Sequence, residues 1–327
     1  MGMHPQTVFW QWAISKLNAG ISCVMLAVLE SKGSSPGRQG FKMLVAGDHH
    51  FLGTIGGGIM EHKFVEMAKS YLDRGISPVS LHKQVHDKQS DHQSGMICSG
   101  EQTILFYPLR QRDKPVLESL SQSLLQNQNG SLTLTNDQFF FSEELPEADF
   151  FFRKTADDFV YIEKTGFRQV IHIIGGGHCS LALSKIMRDL DFYIHIYDER
   201  SNLSTMRQNE FAHQQHLVKS YADLSSLIQG GKQEYLVIMT FGYRTDDEAF
   251  RALLGKTFKY FGMLGSRKKI EKMFAEYDKN GNSQDQLRRV FAPVGLDIKS
   301  ETTAEIAISI AAQIIQEKNK TDKSNVQ

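Results

Sequence analysis

The chain has 327 residues, 41% of them hydrophobic and 23% charged, with 37 Lys plus Arg balanced by 37 Asp plus Glu. That length accommodates two domains, and without a net basic charge neither nucleic acid nor an anionic membrane is expected as a partner. Cys23, Cys98 and Cys179 form no Cys-x-x-Cys pair, which argues against a disulfide framework or structural zinc and favours a reducing, cytoplasmic setting. Residues 1–12 lack a basic start ahead of an apolar core, so no secretory signal is expected. The apolar runs at 23–29 and 306–315 are too short for a membrane span of about 20 residues. Residues 1–110 are read as a first α/β domain. A helix is expected at 8–16 and a strand at 22–30. Lys32-Gly33-Ser34-Ser35-Pro36-Gly37 must be loop, because Gly and Pro break both regular structures. Strands are expected at 41–46, 51–55 and 100–107, and Gly56-Gly57-Gly58 leads into a helix at 60–74.

Residues 111–165 are polar, with Phe139-Phe140-Phe141 and Phe150-Phe151-Phe152 bracketing an acidic turn. They read as a connector with one or two hairpins, its aromatics packed on a neighbouring domain. Residues 166–317 alternate strands (169–174, 192–197, 235–240, 259–264) with helices (178–188, 246–254, 267–277, 304–316). Thr245-x-x-Glu248 and Thr302-x-x-Glu305 read as capping boxes. The alternation predicts a Rossmann-like, doubly wound parallel sheet with right-handed crossovers. Residues 318–327 are expected to fray.

The richest motif is Gly175-Gly176-Gly177-His178-Cys179-Ser180, which follows a strand and opens a helix. Asp198 ends the next strand 23 residues after Gly175, the distance expected of an acid that holds a ribose hydroxyl. Backbone N–H groups of such a turn, together with the helix N-terminus, can approach a phosphate. The packing-only alternative is a tight helix–strand turn. Gly265-Ser266-Arg267-Lys268 offers two cations at another helix start, as an anion clamp or as a solvated turn. In the first region, Gly33-Ser34-Ser35-Pro36-Gly37-Arg38 and the loop from Gly53 to Gly58 could bind an anion through amides or serve turn geometry alone. Glu61 reads as a local hydrogen-bonding group. His82, His86 and His92 precede Cys98, but their polar surroundings favour a surface segment over a metal site. Cys98, flanked by Gly95, Ser99 and Gly100, is the thiol best placed to be exposed.

Together these motifs resemble the XdhC/CoxI family of molybdenum-hydroxylase maturation factors. The resemblance rests on Gly33-Ser34-Ser35-Pro36, Met43-Leu44-Val45, the loop from Gly53 to Glu61 and Cys98-Ser99-Gly100. It continues through Gly175 to His178, Tyr197-Asp198-x-Arg200, Gly262-Met263-Leu264-Gly265-Ser266-Arg267, Ala292-Pro293-x-Gly295-Leu296-Asp297-Ile298 and Glu305-Ile306-Ala307. It implies a chaperone without turnover that binds molybdenum cofactor, protects it, and hands it to a hydroxylase apoenzyme such as xanthine dehydrogenase. A cysteine desulfurase partner and a homodimer are also expected. By the same resemblance Gly175, Gly176, Gly177, His178, Asp198, Gly265, Ser266, Arg267, Gly56, Gly57, Gly58, Ser34 and Ser35 would hold the cofactor, with Cys98 at the molybdenum. Ile59 stands where the family has Cys, and Phe241-Gly242 where it has His-Asp. The alternative is an NAD(P)-dependent oxidoreductase using the unit from Gly175 to Asp198.

Overall fold

The computed structural model describes residues 5–75, 78–85, 100–279 and 284–320. The chain divides into two compact units, Gly2–Gly166 and Phe167–Gln327.

The first unit contains α1 (Pro5–Asn18), β1 (Cys23–Gly33), β2 (Lys42–Ala46), β3 (Phe51–Gly53), α2 (Gly58–Asp73), β4 (Ser80–Val85) and β5 (Gly100–Leu109). It continues with α3 (Lys114–Leu125), β6 (Gly130–Leu134), β7 (Phe139–Ser142), β8 (Phe150–Lys154) and β9 (Phe159–Thr165). The first five strands form an antiparallel sheet in the order β3-β2-β1-β5-β4. β1 is buried on both faces, which is why its sequence is a continuous apolar run rather than an alternation. Val24, Leu26 and Val28 meet Phe64, Val65 and Ala68 of α2. Cys23, Met25, Ala27 and Leu29 share the opposite core with α1, α3 and the second sheet.

That second sheet corrects the connector expected at 111–165. Strands β7-β6-β9-β8 form an antiparallel sheet, and Leu132, Leu134, Phe139, Phe141, Phe159 and Tyr161 join the same core as Trp10 and Leu120. The triple phenylalanines obey the two-residue period of a strand: Phe139 and Phe141 point in, and Phe140 points out. The two sheets are tied by a buried ion pair, Lys42 Nζ to Glu163 at 2.6 Å, whose carboxylate also accepts from the Tyr161 hydroxyl at 2.8 Å.

The second unit contains β10 (Gln169–Ile174), α4 (His178–Asp189), β11 (Phe192–Asp198), α5 (Ser204–Gln208), β12 (Gln214–Leu217), α6 (Leu224–Leu227) and β13 (Gly231–Ile238). It ends with α7 (Tyr243–Leu253), β14 (Phe258–Met263), α8 (Arg267–Lys279), α9 (Gln284–Arg288), β15 (Val290–Phe291) and α10 (Thr303–Lys318). The sheet is parallel throughout, in the order β12-β11-β10-β13-β14-β15. This is the doubly wound Rossmann order, with its switch point between β10 and β13. Ile171, Ile173, Ile194 and Val237 pack under α4 and α10, while Ile174, Leu236 and Ile238 pack under α7 and α8.

Of the two expected capping boxes, Thr302–Glu305 forms: Glu305 N–H donates to Thr302 Oγ1 at 3.2 Å, and Thr302 N–H to Glu305 Oε2 at 2.9 Å. The box at Thr245 does not form, because α7 starts two residues earlier than Thr245 and Thr245 already lies in its first turn. Thr245 Oγ1 accepts instead from Gly242 N–H at 3.1 Å, and Glu248 accepts from Ala222 N–H at 3.2 Å.

Candidate functional site

At the carboxyl edge of the parallel sheet, the three glycines after β10 do different things. Gly175 has φ +106°, and a methyl group there would lie 2.9 Å from Thr240 Cα, so glycine lets the turn pass against the chain leaving β13. Gly176 donates its N–H to Asp198 Oδ2 at 2.7 Å, and a methyl there would press on Met206. Gly177, the N-cap of α4, has an ordinary φ of −75°, no side chain capping it, and open space where a methyl would sit. The exposed opening of this loop is therefore Gly177 and the start of α4 at His178, where helix N–H groups carry partial positive charge.

Asp198 is fully buried and does not present the free carboxylate expected for a ribose hydroxyl. Oδ1 accepts from Arg200 N–H and Arg200 Nε, each at 2.9 Å, and Oδ2 accepts from Gly176 N–H and Arg200 Nη2, the latter at 2.8 Å. Burial alone would raise its pKa, but the bonds from Arg200 and Gly176 outweigh burial and hold the carboxyl below the usual range. Asp198 thus staples the glycine loop and fixes Arg200, whose guanidinium lies 5.6 Å from the ring centre of Phe241. Phe241 is 84% exposed.

Another buried carboxylate orders the other half of the rim. Asp246 Oδ1 accepts from Thr240 N–H at 3.0 Å and Thr240 Oγ1 at 2.5 Å, while Oδ2 pairs with Lys269 of α8. Ser266 Oγ accepts from Lys269 N–H at 3.3 Å. Arg267 pairs with Asp297 at 3.3 Å in an arrangement exposed on both sides, an ion pair of little energetic weight. The cation engaged with this rim is therefore Lys269 rather than Arg267. Its pairing with Asp246 joins residues 23 apart and has no local sequence signal.

The glycine-rich loops of the first unit also converge, but on each other. A methyl at Gly56 would lie 2.6 Å from the Pro36 carbonyl carbon, and one at Gly100 2.6 Å from Ser34 C and Ser35 N. Ser35 Oγ donates to the Gly37 carbonyl at 3.0 Å, and Gly37 N–H donates to Gln102 Oε1 at 3.2 Å. Glu61 Oε2 accepts from Thr54 Oγ1 at 2.6 Å, Ile55 N–H at 2.8 Å and Gly57 N–H at 2.9 Å. Burial works against its charge, yet these bonds hold its pKa below the usual carboxylate range. The amides expected to face an anion are thus turned onto the protein's own carboxylate. Gly57, the N-cap of α2, has no side chain of its own to cap the helix, and its N–H goes to Glu61.

Cys98, His86 and His92 lie outside the described residues. His82 is on strand β4, hydrogen-bonded to Ser80 at 3.0 Å and packed 4.6 Å from Phe106. Burial pushes Cys23 up to about 12 and raises Cys179, so neither is an activated thiolate. Among the described residues, no group of three or more His, Cys, Asp or Glu could hold a metal ion.

Three histidines with no motif spacing in the sequence meet across the sheet. His172, His195 and His216 stand side by side on β10, β11 and β12, with ring centres 5.1 and 5.3 Å apart. His195 Nδ1 and His216 Nε2 share a hydrogen bond of 3.0 Å, and His172 is held by Tyr197 and Glu234, each at 3.1 Å. The one sequence signal for this row is the alternation Tyr193-Ile194-His195-Ile196-Tyr197.

These features define a Rossmann-type domain whose carboxyl edge presents an open glycine turn beside an ordered arginine. The chain belongs to the XdhC and CoxI family: residues 17–82 match that family, and residues 171–314 match the XdhC Rossmann domain. It is 25% identical over 296 residues to the uncharacterized protein YqeB of Escherichia coli (strain K12), covering 90% of this chain and 43% of that protein. It is 23% identical over 162 residues to a probable xanthine dehydrogenase subunit of Bacillus subtilis (strain 168), covering 49% of this chain and 46% of that one. The matched stretches therefore span less than half the length of each of these curated relatives. A crystal structure of a xanthine dehydrogenase from Bacillus halodurans shares the fold, with TM-score 0.72 and 21% identity over 97% of each chain. Among the described residues no helix is long and apolar enough to cross a membrane.

Proposed function

We propose that this protein is a maturation factor for a xanthine dehydrogenase-type hydroxylase, and that it carries molybdenum cofactor to the apoenzyme. Membership of the XdhC and CoxI family supports the maturation role. The observation that supports a phosphate-bearing cargo is the open, uncapped start of α4 at Gly177. Gly177 and His178 would offer backbone N–H groups to the cofactor's phosphate, and Arg200, held by Asp198, would add positive charge at the same edge. The cofactor would supply the pterin-bound molybdenum that the hydroxylase needs. The chain's own task is to bind and orient it, not to turn it over. Cys23 is a core residue, and Cys179 is half-buried with its thiol pushed up by burial, so in this proposal the metal end of the ligand is assigned to Cys98, outside the described residues. A cysteine desulfurase partner, a homodimer and a cytoplasmic setting belong to the same proposal. The NAD(P) alternative loses its main support, because both Asp198 oxygens already accept two donors each.

Native mass spectrometry of oxygen-protected protein tests this reading. Wild type should carry a pterin phosphate, and Gly177→Val, which puts a branched side chain at the opening, should not. Loading of the variant at the wild-type level would place the phosphate elsewhere.

A further inference from the structure

Phe241 is the most exposed large apolar side chain among the described residues, and the backbone on either side of it is anchored. The preceding Thr240 is anchored by Asp246, and the following Gly242 caps α7. β11 and β13 are the two neighbours of β10, so Arg200 and Phe241 approach from opposite sides of the strand that delivers the glycine loop. One part of the ring rests on the Arg200 guanidinium and the rest faces solvent. The guanidinium cannot wander, because Asp198 holds Nε and Nη2. An exposed aromatic face beside a fixed cation and an open phosphate turn is the combination that recognises a planar heteroaromatic ring tethered to phosphate.

We infer that Phe241 is a stacking platform for the ring of such a ligand, with Arg200 ordering the ring and its phosphates on the Gly177 side. This rests on the phosphate-cradle reading above and adds the ring-recognition residue.

Guanosine diphosphate is a suitable probe, since guanine shares with pterin the 2-amino-4-oxopyrimidine ring, and pyrophosphate is its ring-free control. Titration calorimetry on the full chain separates the two contributions. Wild type should bind guanosine diphosphate about tenfold or more tighter than pyrophosphate, the scale of one base–aromatic stack. Phe241→Ala should remove that difference while leaving pyrophosphate affinity and melting temperature unchanged, because the side chain is exposed. Phe241→Trp should restore it. Gly177→Val should abolish binding of both probes. Equal affinities in wild type, or a full ring preference retained by Phe241→Ala, would overturn the platform and leave the cradle standing. If wild type binds neither probe, the cradle reading fails and the platform falls with it.

Discussion

The Gly53–Gly58 stretch of the first unit and the turn after β10 are alike as sequence, each a glycine run that follows a strand and opens a helix. Their structures use those glycines differently. In the first, three donors converge on Glu61, Gly56 lets backbone pass against backbone at Pro36 and Gly37, and Gly57, although it has open space beside it, gives its N–H to Glu61. In the turn after β10, one amide is tied to Asp198 and the next residue, Gly177, is open. A glycine-rich nest is a binding site only where the protein does not supply its own anion. A carboxylate in the first turn of the following helix is enough to fill it.

The contrast between the two loops is tested most severely at Gly56. Gly56→Ala combines φ +128° with overlap onto residues 36 and 37, and should cost more than about 3 kcal/mol in urea denaturation. A loss below about 1 kcal/mol, the size of an ordinary substitution, would show that the loop does not need close backbone packing. Next in size is Asp198→Ala, which leaves Gly176 N–H and Arg200 without their acceptor. A loss of roughly 2–3 kcal/mol is expected, less than for a fully buried pair because Arg200 is partly exposed. Amide exchange at Gly176 should accelerate in parallel.

Glu61→Gln should cost about 1.5 kcal/mol, since it weakens charge-assisted bonds without removing the side chain. Glu61 has a depressed folded pKa, so its contribution is present above the unfolded value of about 4.3 and is lost as pH falls through the folded value. His195 is held down to about 4 by burial and by His172 and His216. Above about 6.5 its imidazole is neutral folded and unfolded; as pH falls from there towards 4 the unfolded chain takes up the proton first, and stability is lost. The melting temperature should therefore start to drop below about pH 6.5, with His216 and, in the first unit, His82 pushed the same way by burial, and His195→Gln should reduce that slope. An unchanged slope would mean that His195 takes up its proton equally in the folded and the unfolded chain. The smallest effect belongs to Gly177→Val, which should cost about 1 kcal/mol or less in stability, as a poorer N-cap in open space. A larger loss would make Gly177 a packing glycine like those of the first unit.

Much of the second unit is legible in the sequence because its strands are short apolar runs set between helices. The strand expected at 169–174 matches β10 residue for residue, and the helix starts expected at 178 and 267 coincide with α4 and α8. β12 and β15 are not legible. One is four residues of largely exposed Gln-Gln-His-Leu and the other only two residues long, so neither carries a periodic pattern. The second sheet of the first unit reads as connector because its average composition is polar, although Phe139 and Phe141 already mark one inward face. For the site, spacing along the chain locates Asp198 at the end of β11 but cannot say that Arg200, two residues on, claims it.

The sequence by itself determined the Rossmann alternation, the glycine turns at strand ends, the balanced charge and the family, since each is written in local spacing and composition. Only the tertiary structure decided which amides are left for a ligand. Glu61 could be read from the sequence as a local hydrogen-bonding group, but whether Asp246 reaches Lys269 and whether Phe241 meets Arg200 depend on how strand order and helix entry bring side chains together. Hydrogen bonds act over about 3 Å, and that proximity is set by the folded chain rather than by the distance between residues along it.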